Sequence, residues 1–413
     1  MTRTKNENTA GNSVYVAIAG EVVNRRSVHL RNFVLNGQFS VPKTATSLIC
    51  KTLATIQFGN KLKIANMKLF VKKIAPFIFI LHLTLPGIDA KTQSNSFDTN
   101  SIKPIGRLID IGGYKLHLNC TGKGDITVVL ISGALNFSFD WALVQNKLSK
   151  TTRVCSYDRP GLAWSDPGPL PRTLAQDVYE LHQLLKEAGV KPPYVLVGHS
   201  IGGMIARMYA LKYPNDVSGM VLVDATSENS ILNINGKIER VRLLASTNKT
   251  IPDIKSKVDT LTKVPSMKEV EELWTMFGKP TISTPFDKLS TDIQRIRLWA
   301  LSLPKYQIAD ADNYMAEEFS KMFEDSTAYK IGNKPLMILY SSKNEYPTEI
   351  GTLRDSLMND KIRNQNAFLS ISTNSKIRST ENSGHEIFLT EPDLVVNAIK
   401  QVIVSIRTKS KLK

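Results

Sequence analysis

The chain has 413 residues, of which 42% are hydrophobic and 22% charged. That is enough apolar side chain for one large core, and it excludes collagen-like, disordered and multi-span membrane classes. The net charge is +16, but residues 1–90 carry 12 Lys/Arg against 3 Asp/Glu, while residues 91–413 carry 41 against 34. More than half of the excess therefore lies in the first 90 residues. No basic run is interleaved with aromatics, so nucleic acid is not an expected partner.

Residues 67–90 read MKLFVKKIAPFIFILHLTLPGIDA. Basic Lys68, Lys72 and Lys73 precede an apolar run from Ile74 to Leu85, Pro86-Gly87 break any helix, and Ala90 offers a small residue for cleavage. This is the layout of a secretory signal peptide, and the run is short for a bilayer span. It implies that Met67 is the true start, that residues 1–66 are a non-native or disordered extension, and that the protein is exported to a periplasm or secreted. The alternative is an uncleaved Ile74–Leu85 anchor, the one expected route to a membrane. Residues 91–104 are a polar linker.

From Ile105 strand and helix patterns alternate. Strands are expected at Gly106–Ile111 and Tyr114–Asn119 around the Gly112-Gly113 turn, and then at Thr127–Ile131 and Arg153–Tyr157. A helix capped by Thr173 and Gln176 runs to Ala188. The buried strand Tyr194–Val197 leads directly into helix Ile201–Leu211, and strand Met220–Val223 follows. Residues 225–330 break this rhythm with charged, helical patterns at Lys268–Met276, Asp292–Leu301 and Asn313–Phe323. Alternation resumes with strand Leu336–Tyr340, helix Ile350–Met358, strand Lys376–Thr380 and a last helix from Asp393 to Ile406. This order predicts a mostly parallel sheet with helices on both faces, split between residues 105–224 and 331–406, with a helical cap inserted at 225–330.

Gly198-His199-Ser200-Ile201-Gly202 joins a buried strand to an amphipathic helix. A Ser on such a turn sits at strained backbone angles with its hydroxyl above the sheet edge, which suits a nucleophile. In isolation the pattern is common in ordinary turns; the strand–turn–helix context gives it weight. His385, in Asn382-Ser383-Gly384-His385, falls between the last strand and the last helix, where a neutral imidazole would serve as general base. His29, His82, His117, His182 and His199 lack that context, and His199 is expected to support the turn. After the third strand, Ser132-Gly133 turns the backbone sharply. The Ala134 and Ile201 N–H groups are then placed to form an oxyanion hole, unless the turn is an ordinary strand exit.

These motifs resemble the α/β-hydrolase superfamily, in the branch with an inserted cap. The resemblance covers residues 105–406 and rests on Gly198–Gly203, on Ser383-Gly384-His385, and on Tyr157-Asp158-Arg159-Pro160-Gly161 with Trp164-Ser165-Asp166. It implies an eight-stranded sheet and a site roofed by the cap. The chain departs from the pattern at Ser132-Gly133, where the family usually has His-Gly. It also departs after Leu336–Tyr340, where Asn344 stands in the usual place of the acid. Asp224 is expected to take that role, with Glu345 as the alternative. Asp224 ends the strand after the nucleophile helix, where some branches place the acid; the alternative for it is a cap on the next turn. Glu345 is one position from the usual place.

The expected activity is hydrolysis of a small or medium carboxylic ester through an acyl-enzyme on Ser200, with His385 as base and no metal or organic cofactor. Alternatives are a receptor-like protein that binds a ligand and turns over slowly, or a C–C or amide hydrolase or perhydrolase using the same residues. Dehalogenase and epoxide hydrolase chemistry in this superfamily would require Asp at position 200. The three cysteines are Cys50, Cys120 and Cys155, with no CxxC or metal-like spacing. Composition reads Cys120 and Cys155 as ordinary core residues, whereas the resemblance puts their strands side by side.

Overall fold

A computed structural model describes residues 102–412 apart from 235, 236, 312, 313 and 347. The signal-like segment, Cys50 and residues 1–66 lie outside the described residues. Among the described residues there are ten strands and nine α-helices. The strands are β1 (Arg107–Asp110), β2 (Lys115–Thr121), β3 (Thr127–Ile131), β4 (Arg153–Tyr157), β5 (Tyr194–His199), β6 (Val217–Val223), β7 (Ile231–Ile234), β8 (Lys237–Arg240), β9 (Leu336–Ser341) and β10 (Ser375–Thr380). The helices are α1 (Ala142–Leu148), α2 (Leu174–Glu187), α3 (Ile201–Lys212), α4 (Met267–Phe277), α5 (Thr291–Ser302), α6 (Met315–Glu324), α7 (Leu353–Ala367), α8 (Ile387–Thr390) and α9 (Pro392–Thr408).

Eight strands form one sheet in the order β1-β2-β4-β3-β5-β6-β9-β10. β2 pairs antiparallel with both β1 and β4, and the other pairings are parallel. The central strands are apolar throughout because helices cover both faces; every residue of TVVLI in β3 and YVLVGH in β5 is buried. One core packs α2 and α3 against β3, β5 and β6, with Leu181, Leu184, Met204 and Tyr209 at its centre. The other packs α1 and α9 against the opposite face through Trp141, Leu148, Ile399 and Val402. The Thr173 hydroxyl caps α2 by accepting the Gln176 N–H at 3.1 Å.

Two local expectations change. Cys120 and Cys155 are direct partners in the β2–β4 register and form a disulfide with Cα atoms 4.0 Å apart, so they are not the unpaired core residues that composition suggested. The segment between β6 and β9 opens with the β7–β8 hairpin before its three helices. Asn235-Gly236 in the sequence, between two short runs of strand formers, is a hairpin signal that the helical patterns downstream masked.

Candidate active site

β5 ends and α3 begins on either side of Ser200, which adopts φ 52° and ψ −126°. The flanking glycines make this turn possible by allowing close backbone approach. A Cβ on Gly198 would come within 2.3 Å of the Gly202 carbonyl oxygen, and one on Gly202 within 2.3 Å of the Ile131 carbonyl oxygen. Any other residue would push the helix off β5 at position 198 or off the end of β3 at position 202, so the strain at Ser200 is held by packing around it. The Ser200 hydroxyl makes a 3.4 Å hydrogen bond with the Thr226 hydroxyl. Among the described residues it makes none with His385, although both line the same cavity. Bonds between nucleophile and base are often open without substrate.

His385 follows β10 in a loop tied down by hydroxyls. The Ser341 hydroxyl donates to the Ser383 carbonyl at 2.6 Å, Thr390 donates to the Ser383 hydroxyl at 2.7 Å, and the Ser383 and Thr380 hydroxyls both donate to Glu391. This fixes the imidazole with Nδ1 2.6 Å from Asp224 Oδ2. Asp224 stands at φ 41°, directly after β6, and its side chain is 1% exposed. Its other oxygen accepts the Ser341 N–H at 3.0 Å, and Lys361 from α7 reaches Oδ2 at 2.9 Å. Burial pushes the Asp224 carboxyl up, but Lys361 and His385 more than offset it and hold the group down at about 2. Burial lowers the His385 pKa, and the carboxylate more than compensates, leaving it above the ordinary histidine value.

Glu345 lies in the loop after β9, beside the His385 loop. Its carboxylate accepts the backbone N–H of His385 at 3.0 Å and sits where a Cβ on Gly384 would come within 2.1 Å of it. It therefore supports the loop and does not bond the ring. His199 is buried beside His385, with ring centroids 4.5 Å apart. Burial first, and His385 second, push its pKa down to about 3. Its Nε2 donates to the His385 carbonyl at 3.0 Å, so the neutral ring braces the loop.

The turn after β3 is gripped from two sides. Buried Arg159 donates to the Ser132 and Gly133 carbonyls at 3.3 and 3.1 Å and binds both oxygens of Asp310 at 2.9 and 2.8 Å. Asp310 also accepts the Leu135 N–H at 2.6 Å. Since the Gly133 carbonyl points at Arg159, the Ala134 N–H of the same trans peptide points the opposite way. Neither the Ala134 nor the Ile201 N–H donates to a protein group among the described residues. In place of the family's usual histidine, the Ser132 hydroxyl accepts the Trp141 indole N–H and donates to the Phe137 carbonyl, both at 3.1 Å.

Residues 126–392 match the family described as the alpha/beta hydrolase fold. The chain belongs to the α/β-hydrolase family. A family protein of Gibberella zeae, described as an AB hydrolase superfamily protein, is 23% identical over 279 residues, covering 65% of this chain and 83% of that protein. The uncharacterized protein YqjL of Bacillus subtilis is 38% identical over 103 residues, 25% of this chain and 41% of its own. For four other relatives the match runs over 88 to 188 residues, and the chain spans between 16% and 38% of their length. The solved structure of a thermophilic esterase from Thermogutta terrifontis is 19% identical, with a TM-score of 0.50, covering 73% of this chain and 99% of that one; at this identity the likeness bears on the fold.

An α/β-hydrolase carries its site at the carboxyl ends of the sheet strands, and here Ser200, Asp224, Glu345 and His385 all line one cavity of about 380 Å³ there. Ile231, Tyr346, Ile350, Leu357 and Met358 form its apolar wall, and Thr226, Asn364 and Lys361 supply polar groups. Among the described residues no group of three or more His, Cys, Asp or Glu could hold a metal, and no helix is long and apolar enough to cross a membrane. A second His–Asp pair, His117 Nδ1 to Asp158 Oδ2 at 2.7 Å, is fully buried and ties β2 to the loop after β4.

Sequence reasoning missed Lys361, Thr226 and Asp310. Helix α7 was expected to end at Met358, but it runs nine residues further, to Ala367, and carries Lys361 to the site. Its sequence, LRDSLMNDKIRNQNA, has too few apolar residues to show a stripe. Asp310 comes from the segment between β6 and β9 and touches a residue 175 positions earlier. No local pattern marks either one.

Proposed function

We propose that this α/β-hydrolase is a serine hydrolase that cleaves small or medium carboxylic esters through an acyl-enzyme on Ser200. The observation that carries this is the strained Ser200 turn sharing a cavity with a histidine whose Nδ1 lies 2.6 Å from a buried carboxylate. In this mechanism Ser200 Oγ attacks the ester carbonyl as His385 Nε2 takes its proton. Asp224 holds the ring in the tautomer with Nδ1–H and stabilises the imidazolium that forms. The Ala134 and Ile201 N–H groups receive the developing oxyanion, and the α3 N-terminus favours the same charge. His385 then returns the proton to the leaving alcohol. The acyl-enzyme is hydrolysed by water in the reverse sense, with the proton again passing through His385. Glu345 bonds the His385 backbone, which favours Asp224 as the acid.

The apolar wall of the cavity supports an acyl or alkyl group of moderate size. The Cys120–Cys155 disulfide supports an oxidising compartment, in keeping with export. The test is a panel of p-nitrophenyl esters of graded acyl length. Saturable turnover with a maximum at short or medium chains is expected, and turnover indistinguishable from buffer across the panel would refute the proposal.

A further inference from the structure

The Lys361 ammonium makes its one side-chain hydrogen bond among the described residues with Asp224, at 2.9 Å, on the same oxygen that His385 Nδ1 approaches to 2.6 Å. The neighbouring Asp360 does not compete for this cation, because Arg240 holds it at 2.7 Å and Arg363 binds it as well. The Lys361 side chain is 24% exposed and lines the cavity, whereas the carboxylate it meets is 1% exposed. An ammonium is thus placed where Asp224 would otherwise have a single cationic partner.

We propose that Lys361 is a positioning residue that tunes the general base: by sharing the Asp224 carboxylate with His385, it keeps the imidazole neutral to lower pH than an Asp–His pair alone would. With His385 neutral, Asp224 and Lys361 balance. Once His385 is protonated, two positive charges share one negative charge, with their nitrogens no further apart than the two bonds to Oδ2 allow. Repulsion at that separation, between fully screened and half-buried limits, displaces the His385 midpoint downward by about 0.5 to 2 pH units. The partial exposure of Lys361 favours the lower part of that range.

The other groups around His385 do not cancel this. His199, at the end of β5, is neutral. Glu345, in the loop after β9, bonds the backbone N–H of His385, and Glu386 lies next in the chain. Tyr346 lines the same cavity with its phenol pushed up by burial and by Asp224, so it too is neutral. Lys343 is on the cavity rim and exposed. Both glutamates favour imidazolium, so Lys361 is the buried-side charge that opposes it. The functional consequence rests on the serine hydrolase proposal: the acid limb of activity reaches lower pH, and each imidazolium formed during turnover is stabilised less.

The experiment follows the His385 ring nitrogens by NMR against pH in the full chain, without substrate, for wild type, Lys361→Met and Lys361→Arg. The acid limb of kcat/KM is measured in parallel on a p-nitrophenyl ester. The expected result is an upward shift of both midpoints by about 0.5 to 2 units in the Met variant, with the Arg variant within about 0.3 unit of wild type. A Met shift below about 0.3 unit, a downward shift, or an equal shift in the Arg variant would overturn the proposal. If Lys361→Met does not fold, Lys361→Gln takes its place. Loss of the fold in both variants would also overturn it, by making the lysine a structural ion-pair partner. A ring that titrates as expected in a protein without esterase activity would instead count against the hydrolase proposal alone.

Discussion

Asp224→Asn and Glu345→Gln separate two carboxylates that lie in one cavity and differ in what they bond. Asp224 Oδ2 is 2.6 Å from the imidazole nitrogen and almost fully buried. With charge centres roughly 4 Å apart and an effective dielectric constant of about 20, it stabilises imidazolium by about 4 kcal/mol, or about 10³ in rate. An Asn amide can still accept the Ser341 N–H, but turned that way it presents its NH₂ to Nδ1 and selects the wrong tautomer, which takes the expected loss of kcat toward about 10⁴. Glu345 accepts only a backbone N–H, at 3.0 Å on an exposed residue. A Gln oxygen accepts the same bond, so kcat should change by no more than about fivefold. The assay is kcat on the best p-nitrophenyl ester, with thermal melting to confirm that both variants fold. Retention of more than about a tenth of wild-type kcat by Asp224→Asn would refute the reasoning, as would a loss of about 10³ on Glu345→Gln.

Asp310→Asn removes the charge that pairs with buried Arg159 and weakens its grip on the 132–135 turn; kcat should fall about tenfold or more with KM within about threefold, and an unchanged kcat would separate that turn from the chemistry. Peptide mapping without reductant should show Cys120 linked to Cys155. Reduction should lower stability by about 3 to 4 kcal/mol in denaturant melts for a bridge spanning 35 residues, and two free thiols in the native protein would contradict the pairing.

The centre of the sheet was legible because its strands are buried on both faces and bounded by turns. The spans of Thr127–Ile131 and Arg153–Tyr157 agree with the pattern to the residue. The Ser200 turn was legible for a related reason: its glycines are demanded by contacts of backbone with backbone, which leave a local mark in sequence. The preference for Asp224 over Glu345 came from the family resemblance and not from chain order, since both stand between Ser200 and His385 and only the path of the loop after β9 decides which one meets the ring. Lys361 and Asp310 were invisible because they act across long separations, one from a polar helix and the other from a stretch between β6 and β9 without a motif. The Cys120–Cys155 pair became readable only once β2 and β4 were known to be neighbours, since 35 residues of separation carry no signal of their own.

Covalent labelling at Ser200 tests the central claim most directly. The protein is treated with a fluorophosphonate probe, digested and mapped by mass spectrometry, alongside the Ser200→Ala variant. The account predicts one adduct, on the peptide that contains Gly198–Gly202, and its complete loss together with ester turnover in a variant that melts like wild type. An adduct that persists in Ser200→Ala, or a wild-type protein that hydrolyses esters while Ser200 stays unlabelled, would contradict it.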